Sequence, residues 1–303
     1  MPRQSNIELL RITAMFLVLV VHADFWALGG PVLSDFSSHP WNAVTRTVIE
    51  SISIVCVNVF VMISGWFGIK PSLRSLSNFV FQCAFFLIGI YAVMILTGHA
   101  RLTSQGILGS LCLLHWNWFI KAYIGLYILS PLINAFLDKS TKRQLELFLV
   151  FFYIFQTVWG WLTKASAFVV DGYSTFSFVG LYVLARYLRL YGSSFARHDL
   201  SVYLASVVLN SGLYYLSLKI PHIPGVYTYA NPFVIAGAAG LLLWFSELRI
   251  SLNRIINFVG KSCFAVFLLH SNPNIGEPVY KRFIVETYNS SSGICTGGYI
   301  VDY

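Results

Sequence analysis

Arg11 and His22 stand in the stretch NIELLRITAMFLVLVVH with ten residues between them, most of them apolar. Eleven positions is about three turns of a 3.6-residue helix. Both side chains therefore project from nearly the same face, about 16 Å apart along the axis at 1.5 Å per residue. A guanidinium is a fixed fork of donors suited to phosphate. An imidazole, with an ordinary pKa near 6.5, can take a hydroxyl proton near neutral pH. The spacing thus predicts an anion-holding group at one end of a helix and a base well along it. A plainer account is also open. Arg11 could snorkel at a membrane boundary, balanced by Glu8 on the same face, and His22 could bridge helices as a neutral ring.

Further polar residues sit where apolar ones are expected. Glu50 and Asn58 belong to the segment that ends VFVMISGWFG, with Ser64-Gly65 near its close. Glu50 falls near the outer end and could orient an imidazole, Asn58 could bond a neighbouring helix, and Ser64-Gly65 permits close packing. His270 ends the run FAVFLLH, and Asp24 lies on the face of the first helix away from His22. No GxSxG elbow, HExxH, phosphate-binding glycine loop or GxGxxG fingerprint is present to suggest a soluble-type active site. The five cysteines, Cys56, Cys83, Cys112, Cys263 and Cys295, include no CxxC pair. They read as small packing residues, so no disulfide frame, metal site or metal cofactor is expected.

These residues must be carried by membrane helices. Of 303 residues, 57% are hydrophobic and only 11% charged, against about 25% charged in a soluble domain. The composition predicts an all-α, polytopic transmembrane helical bundle. About nine spanning segments emerge, near 9–28, 48–67, 77–96, 117–137, 145–162, 177–191, 200–218, 231–246 and 255–270. The net charge of +8 lacks any dense basic stretch. It reads as the positive-inside bias and not as a nucleic-acid surface. With a cytoplasmic N-terminus, the inside carries Arg3, Lys70, Arg74, Lys139, Lys142, Arg143, Arg189, Arg197, Arg249 and Arg254, while the outside carries Arg46, Arg101, Lys164, Lys219, Lys281 and Arg282, with at least two basic residues in each internal inside loop and one in each internal outside loop. That asymmetry fixes the expected orientation. Residues 1–275 form one membrane domain, and 276–303 are expected as a polar extracytoplasmic tail.

Taken in order, these segments resemble the acyltransferase-3 family of integral membrane acyltransferases. The first-helix pair Arg11 and His22 is similar to the family's Arg-x10-His. VFVMISGWFG looks like its Phe-rich Ser-Gly motif, here Phe60, Ser64, Gly65 and Phe67. NWFIKAYIGLYILSPLIN resembles its Trp-Phe segment and Ser-Pro helix end, here Trp118, Phe119, Tyr123, Ser130 and Pro131. A late helix ending in histidine, here His270, completes the likeness over residues 4–275. Lys70 and Arg74 stand where many members have Arg-x-x-Arg, and the family's last helix has no counterpart here. The resemblance implies an enzyme that moves an acyl group, usually acetyl, from cytoplasmic acyl-CoA to a hydroxyl of a cell-surface glycan or its lipid-linked precursor, across a bacterial-type cytoplasmic (inner) membrane. It implies that Arg11 and His22 are the essential pair. Arg11, Lys70 and Arg74 would face the CoA phosphates, and Glu50, Asn58, Ser64, Trp118 and His270 are candidates for the substrate site. A transporter or flippase of a glycan or lipid-linked precursor is the alternative that the same architecture allows.

Overall fold

In a computed structural model, residues 4–111, 117–192 and 199–292 are described. Arg3, Cys112, Arg197 and Cys295 lie outside them. The described chain is helical, with no strand. Helix α1 (Ser5–Val21) continues as a π-helical turn, His22–Trp26. The short α2 (Leu33–Ser38) leads into α3 (Pro40–Ser53) and α4 (Cys56–Phe67), which follow one another across a break at Ile54-Val55. Then come α5 (Leu73–Leu96), α6 (Ser104–Leu111), α7 (Trp118–Lys139), α8 (Lys142–Phe155, prolonged by the π-turn Gln156–Leu162), α9 (Thr175–Tyr191), α10 (Asp199–Ser217), α11 (Pro232–Glu247) and α12 (Arg254–His270). The chain closes with α13 (Pro273–Ile275), the π-turn Gly276–Lys281 and α14 (Arg282–Ser292).

The helix starts follow from local chemistry. Asn117, Asn231, Asn253 and Asn272 each accept a backbone N–H of the first turn through the side-chain oxygen, satisfying donors that a helix N-terminus leaves orphaned. Pro232 and Pro273 follow their caps at the first helical position, where a missing N–H costs nothing. Thr141 and Gln144 form a reciprocal capping box at the start of α8. Inside α7, Pro131 cannot donate to the Tyr127 carbonyl. The Ser130 hydroxyl donates to that oxygen instead, at 2.7 Å, so the Ser-Pro pair leaves no orphaned acceptor. An unsatisfied one would cost about 1–3 kcal/mol.

The core gathers around α4, which packs against α1, α9 and α11. Val59, Val61, Met62 and Ile63 of α4 meet Leu10 and Ala14 of α1, Phe178 and Tyr182 of α9 and Leu242 of α11 in one apolar cluster. Gly65 lets α4 approach α9 closely, since a Cβ there would overlap the Tyr182 backbone. By contrast α5 buries only Cys83 and Leu87 and turns Phe81, Phe85 and Val93 outward, as a lipid-facing helix does.

Among the described residues, six helices are long and apolar enough to cross a membrane: Ser5–Trp26, Pro40–Phe67, Leu73–Leu96, Trp118–Lys139, Lys142–Leu162 and Asp199–Ser217. Arg254–His270 and Pro273–Ser290, bent by 66°, make a seventh if taken as one broken span. The expected count of nine is therefore not carried by length and composition. Helices α9 and α11 have 17 and 16 residues, about 25 Å at 1.5 Å per residue, short of the ~30 Å hydrocarbon layer. Helix α9 also carries Arg186 and Arg189. The segment expected as a polar tail is helical through Ser292 and packs on earlier helices. Tyr280 donates to the Leu19 carbonyl at 2.7 Å, and Tyr288 donates to the Asn42 side chain at 3.1 Å.

Candidate active site

Arg11, Val18 and His22 lie along one stripe of α1, and three successive cavities follow it. The inner cavity, about 270 Å³, is lined by Arg11, Val18 and Ser64 together with Lys261, Tyr123 and several phenylalanines. A neck of about 30 Å³ comes next and shares Val18, Val57, Phe119 and Phe267 with the inner cavity. The outer cavity, about 520 Å³, shares His22, Asn117, Trp118 and Tyr229 with the neck. His22 thus stands where the neck meets the outer cavity. Its position coincides with the start of a π-helical turn, a local distortion frequent at functional sites.

In the outer cavity two imidazoles meet. His22 Nδ1 lies 2.8 Å from His270 Nε2, and His270 Nδ1 lies 3.1 Å from the Val266 carbonyl oxygen. His270 is only 7% exposed. Glu50 lines the same cavity at 2% exposure, and its Oε2 has no hydrogen-bond partner. Leaving a buried carboxyl oxygen without a partner is costly. Glu50 is not needed to orient His22, because His270 occupies the Nδ1 side. Trp118 stacks on Tyr229 at 5.6 Å, with Tyr173 edge-on to Trp118 at 4.5 Å. The hydroxyls of Tyr173 and Tyr229 donate to no described residue. Burial raises the pKa of both phenols, with nearby Asp171 adding to the rise at Tyr173 and nearby Cys56 at Tyr229. They remain hydrogen-bond donors through the neutral range. Asn58, fully buried, donates to the Tyr229 carbonyl at 3.1 Å; it supports the cavity wall from behind. Asp24 lies off the stripe, as its spacing predicts, but is buried and paired with Arg46 at 2.6 Å.

The inner cavity has the opposite character. Arg11 faces Glu8 with 3.3 Å between Nε and Oε2. Glu8 in turn packs on Gly260 of α12, where any Cβ would overlap its carboxylate. Lys261 lines the cavity and makes no ion pair among the described residues. Ser64 and Tyr123 share a hydrogen bond at 3.0 Å. Phe60, Phe79, Phe119, Phe264 and Phe267 make much of the remaining wall aromatic.

The structure therefore brings His22, Glu50, Trp118 and His270 together around the outer cavity, and Arg11 and Ser64 around the inner one. Asn58 lies behind the outer wall. Lys70 and Arg74 are exposed and line neither cavity. Lys261, Tyr173 and Tyr229 were missed in the sequence. Lys261 had a readable signal, a cation seven residues inside an apolar helix. The two tyrosines come from the connections before α9 and α11 and had none. Among the described residues no group of three His, Cys, Asp or Glu side chains converges to hold a metal ion. Cys56, Cys83 and Cys263 are buried free thiols.

A family model described as an acyltransferase domain, the third of that name, matches residues 4–289. No curated protein and no solved structure matches the chain.

Proposed function

This multi-pass membrane chain belongs to the acyltransferase-3 family, and from that premise we propose that it moves an acetyl group from cytoplasmic acetyl-CoA to a hydroxyl of a cell-surface glycan, or of its lipid-linked precursor, on the outer side of a bacterial-type inner membrane. The observation that carries the reading is the meeting of two unlike cavities at His22. The inner one offers Arg11 and Lys261, charges suited to an anionic donor. The outer one offers a carboxylate, phenol donors and aromatic faces, a lining suited to a neutral, hydroxyl-rich acceptor. The neck, about 30 Å³, is far smaller than the cavities of about 270 and 520 Å³ on either side. A narrow junction between two unlike spaces suits the passing of a small acyl group better than the passage of a sugar, which favours transfer over transport.

The reaction runs as one proton-coupled acyl transfer. The thioester enters from the inner cavity and its carbonyl carbon reaches the neck beside His22. The acceptor hydroxyl oxygen attacks that carbon from the outer cavity while His22 takes its proton. The tetrahedral intermediate collapses with cleavage of the C–S bond, and the proton passes from His22 to the departing thiolate. Ester and free CoA thiol are the products, and no covalent acyl-enzyme is required. Arg11 lies about three turns below His22 and serves by holding the donor. Lys70 and Arg74, outside the cavity, draw the anionic donor toward it.

The test is thiol release by purified protein in lipid nanodiscs with acetyl-CoA and a surface oligosaccharide. Thiol should appear only with acceptor present and in step with ester on the glycan. Movement of labelled glycan across vesicles without thiol release would identify a carrier instead. In cells, removal of the gene should strip ester-linked acetyl groups from a surface polysaccharide.

A further inference from the structure

A base must present a bare nitrogen, and an imidazole has two to choose from. The hydrogen bonds around His270 settle which one His22 presents. The Val266 carbonyl oxygen has lone pairs and no proton. The His270 nitrogen facing it at 3.1 Å, Nδ1, must therefore carry the hydrogen. In a neutral ring the other nitrogen is then bare, so His270 Nε2 is an acceptor. His22 Nδ1, 2.8 Å away, must donate to it. That leaves His22 Nε2 without a hydrogen, and no described residue bonds to it. The opposite assignment would set His270 Nδ1, bare, against the carbonyl lone pairs.

We infer that His270 is the positioning residue of the transfer: it locks His22 in the tautomer whose bare nitrogen is Nε2 and aims that nitrogen at the reacting hydroxyl. The role rests on the acyl-transfer reading, while the tautomer itself does not. Three features hold the arrangement. His270 ends α12 and bonds back onto its own helix through Val266, so the ring is anchored by the backbone. Phe267 lies edge-on to the His270 ring at 5.7 Å and Tyr280 at 6.1 Å. Trp26, one π-turn beyond His22, lies edge-on to His22 at 5.6 Å. When the acceptor's O–H bond breaks, its proton goes to His22 Nε2. The resulting imidazolium keeps its Nδ1–H on His270 Nε2, and His270 itself takes no proton. The relay has the logic of a base steadied by a third group, with a second imidazole and a main-chain carbonyl in place of a carboxylate.

The first experiment reads the tautomer in protein labelled with 15N and 13C at histidine. Correlations of ring nitrogens with ring carbons distinguish a protonated nitrogen from a bare one, and His22→Ala and His270→Gln spectra assign the two rings. Both rings should show hydrogen on Nδ1 and a bare Nε2. A His22 ring with its hydrogen on Nε2 would overturn the inference whether or not the protein transfers acyl groups. The second experiment is kinetic. His270→Phe should lower turnover about 10²-fold or more at an unchanged KM for acetyl-CoA. His270→Gln, whose side-chain oxygen can still accept from His22 Nδ1, should recover most of it. If wild type transfers acetyl and His270→Phe matches it, the acyl-transfer reading stands and the positioning role falls. If wild type shows no transfer while both rings have the expected tautomer, the functional reading falls and the assigned geometry stands.

Discussion

The inner and outer cavities are served by one stripe of one helix, yet their chemistry is nearly opposite. Arg11 opens the stripe into a space with a second cation, Lys261, and a Ser64–Tyr123 hydroxyl pair among phenylalanines. Eleven residues on, His22 opens it into a space with no cation, a buried carboxylate and unbonded phenols. The energetics differ as well. Of the inner cations, Arg11 is paired with Glu8 and Lys261 is exposed, so neither is left buried without a partner or water and they cost the fold little. Glu50 is enclosed with an unsatisfied oxygen, a state that costs stability unless a ligand completes it. The contrast teaches that the strained half of the molecule is the acceptor side, and that the donor side is built from charges that are paired or exposed.

The largest effect should come from the residue that belongs to both spaces. His22→Ala removes the base and should lower acetyl transfer by about 10²–10⁴-fold. The protein should still assemble in the membrane, because His22 is only half-buried. Transfer by purified His22→Ala at the wild-type rate would dissolve the distinction between the cavities, since neither would then lead to a reacting group.

Glu50→Gln should act on one side only. Leaving a buried partner group unpaired costs about 1–3 kcal/mol, so the KM for the glycan should rise about 5- to 100-fold while that for acetyl-CoA stays put. The same change should not lower the thermal midpoint of the free protein, because Glu50 Oε2 has no hydrogen bond to lose. A lower midpoint with normal acceptor affinity would mean that Glu50 holds the fold together and that the outer cavity is not the strained one.

How far this contrast could be read from the sequence depends on the kind of residue. The Arg11–His22 stripe was legible because helical periodicity alone places the two together. Two helix starts are written locally, as Asn-Pro pairs at Asn231-Pro232 and Asn272-Pro273. The His22–His270 contact is not, since 248 positions separate the partners and no periodicity relates α1 to α12. Nor is the π-turn at His22, which has no composition of its own. Tyr173 and Tyr229 come from irregular connections that only tertiary packing folds onto Trp118. The count of spanning helices suffers from a related problem. Helix α11 is apolar but short, and hydropathy cannot tell a short span from a buried core helix. The segment after Pro273 looks polar because it carries Glu277, Lys281, Arg282 and Glu286. Its aromatic residues Tyr280 and Tyr288 nonetheless reach back to Leu19 and Asn42.

On the donor side, Lys261→Ala is the cleaner probe, because Lys261 has no ion pair to lose among the described residues. It should raise the KM for acetyl-CoA about tenfold, as expected for one charge-assisted contact of about 1.4 kcal/mol, and leave the acceptor KM unchanged. Arg11→Ala should do the same, with an added loss of stability from Glu8, which sits 3.3 Å away against α12. A change in acceptor KM with either variant would show that the neck does not separate the two ligands.

The smallest effect is expected at Lys70 and Arg74, and its form matters more than its size. Both are exposed and line neither cavity, so they can act on an anionic donor only through water. Such attraction fades over a Debye length of about 8 Å at physiological ionic strength, and it raises the rate of encounter more than the strength of binding. The double variant Lys70→Ala, Arg74→Ala should therefore slow acetyl-CoA association about two- to threefold at low salt, with no difference left at high salt. Lys261→Ala should keep more of its effect there, since Lys261 lines the inner cavity and would act by direct contact with the donor. A large, salt-resistant loss in the double variant would place the CoA phosphates at the start of α5 and the loop before it, and the inner cavity would then hold only the thioester arm.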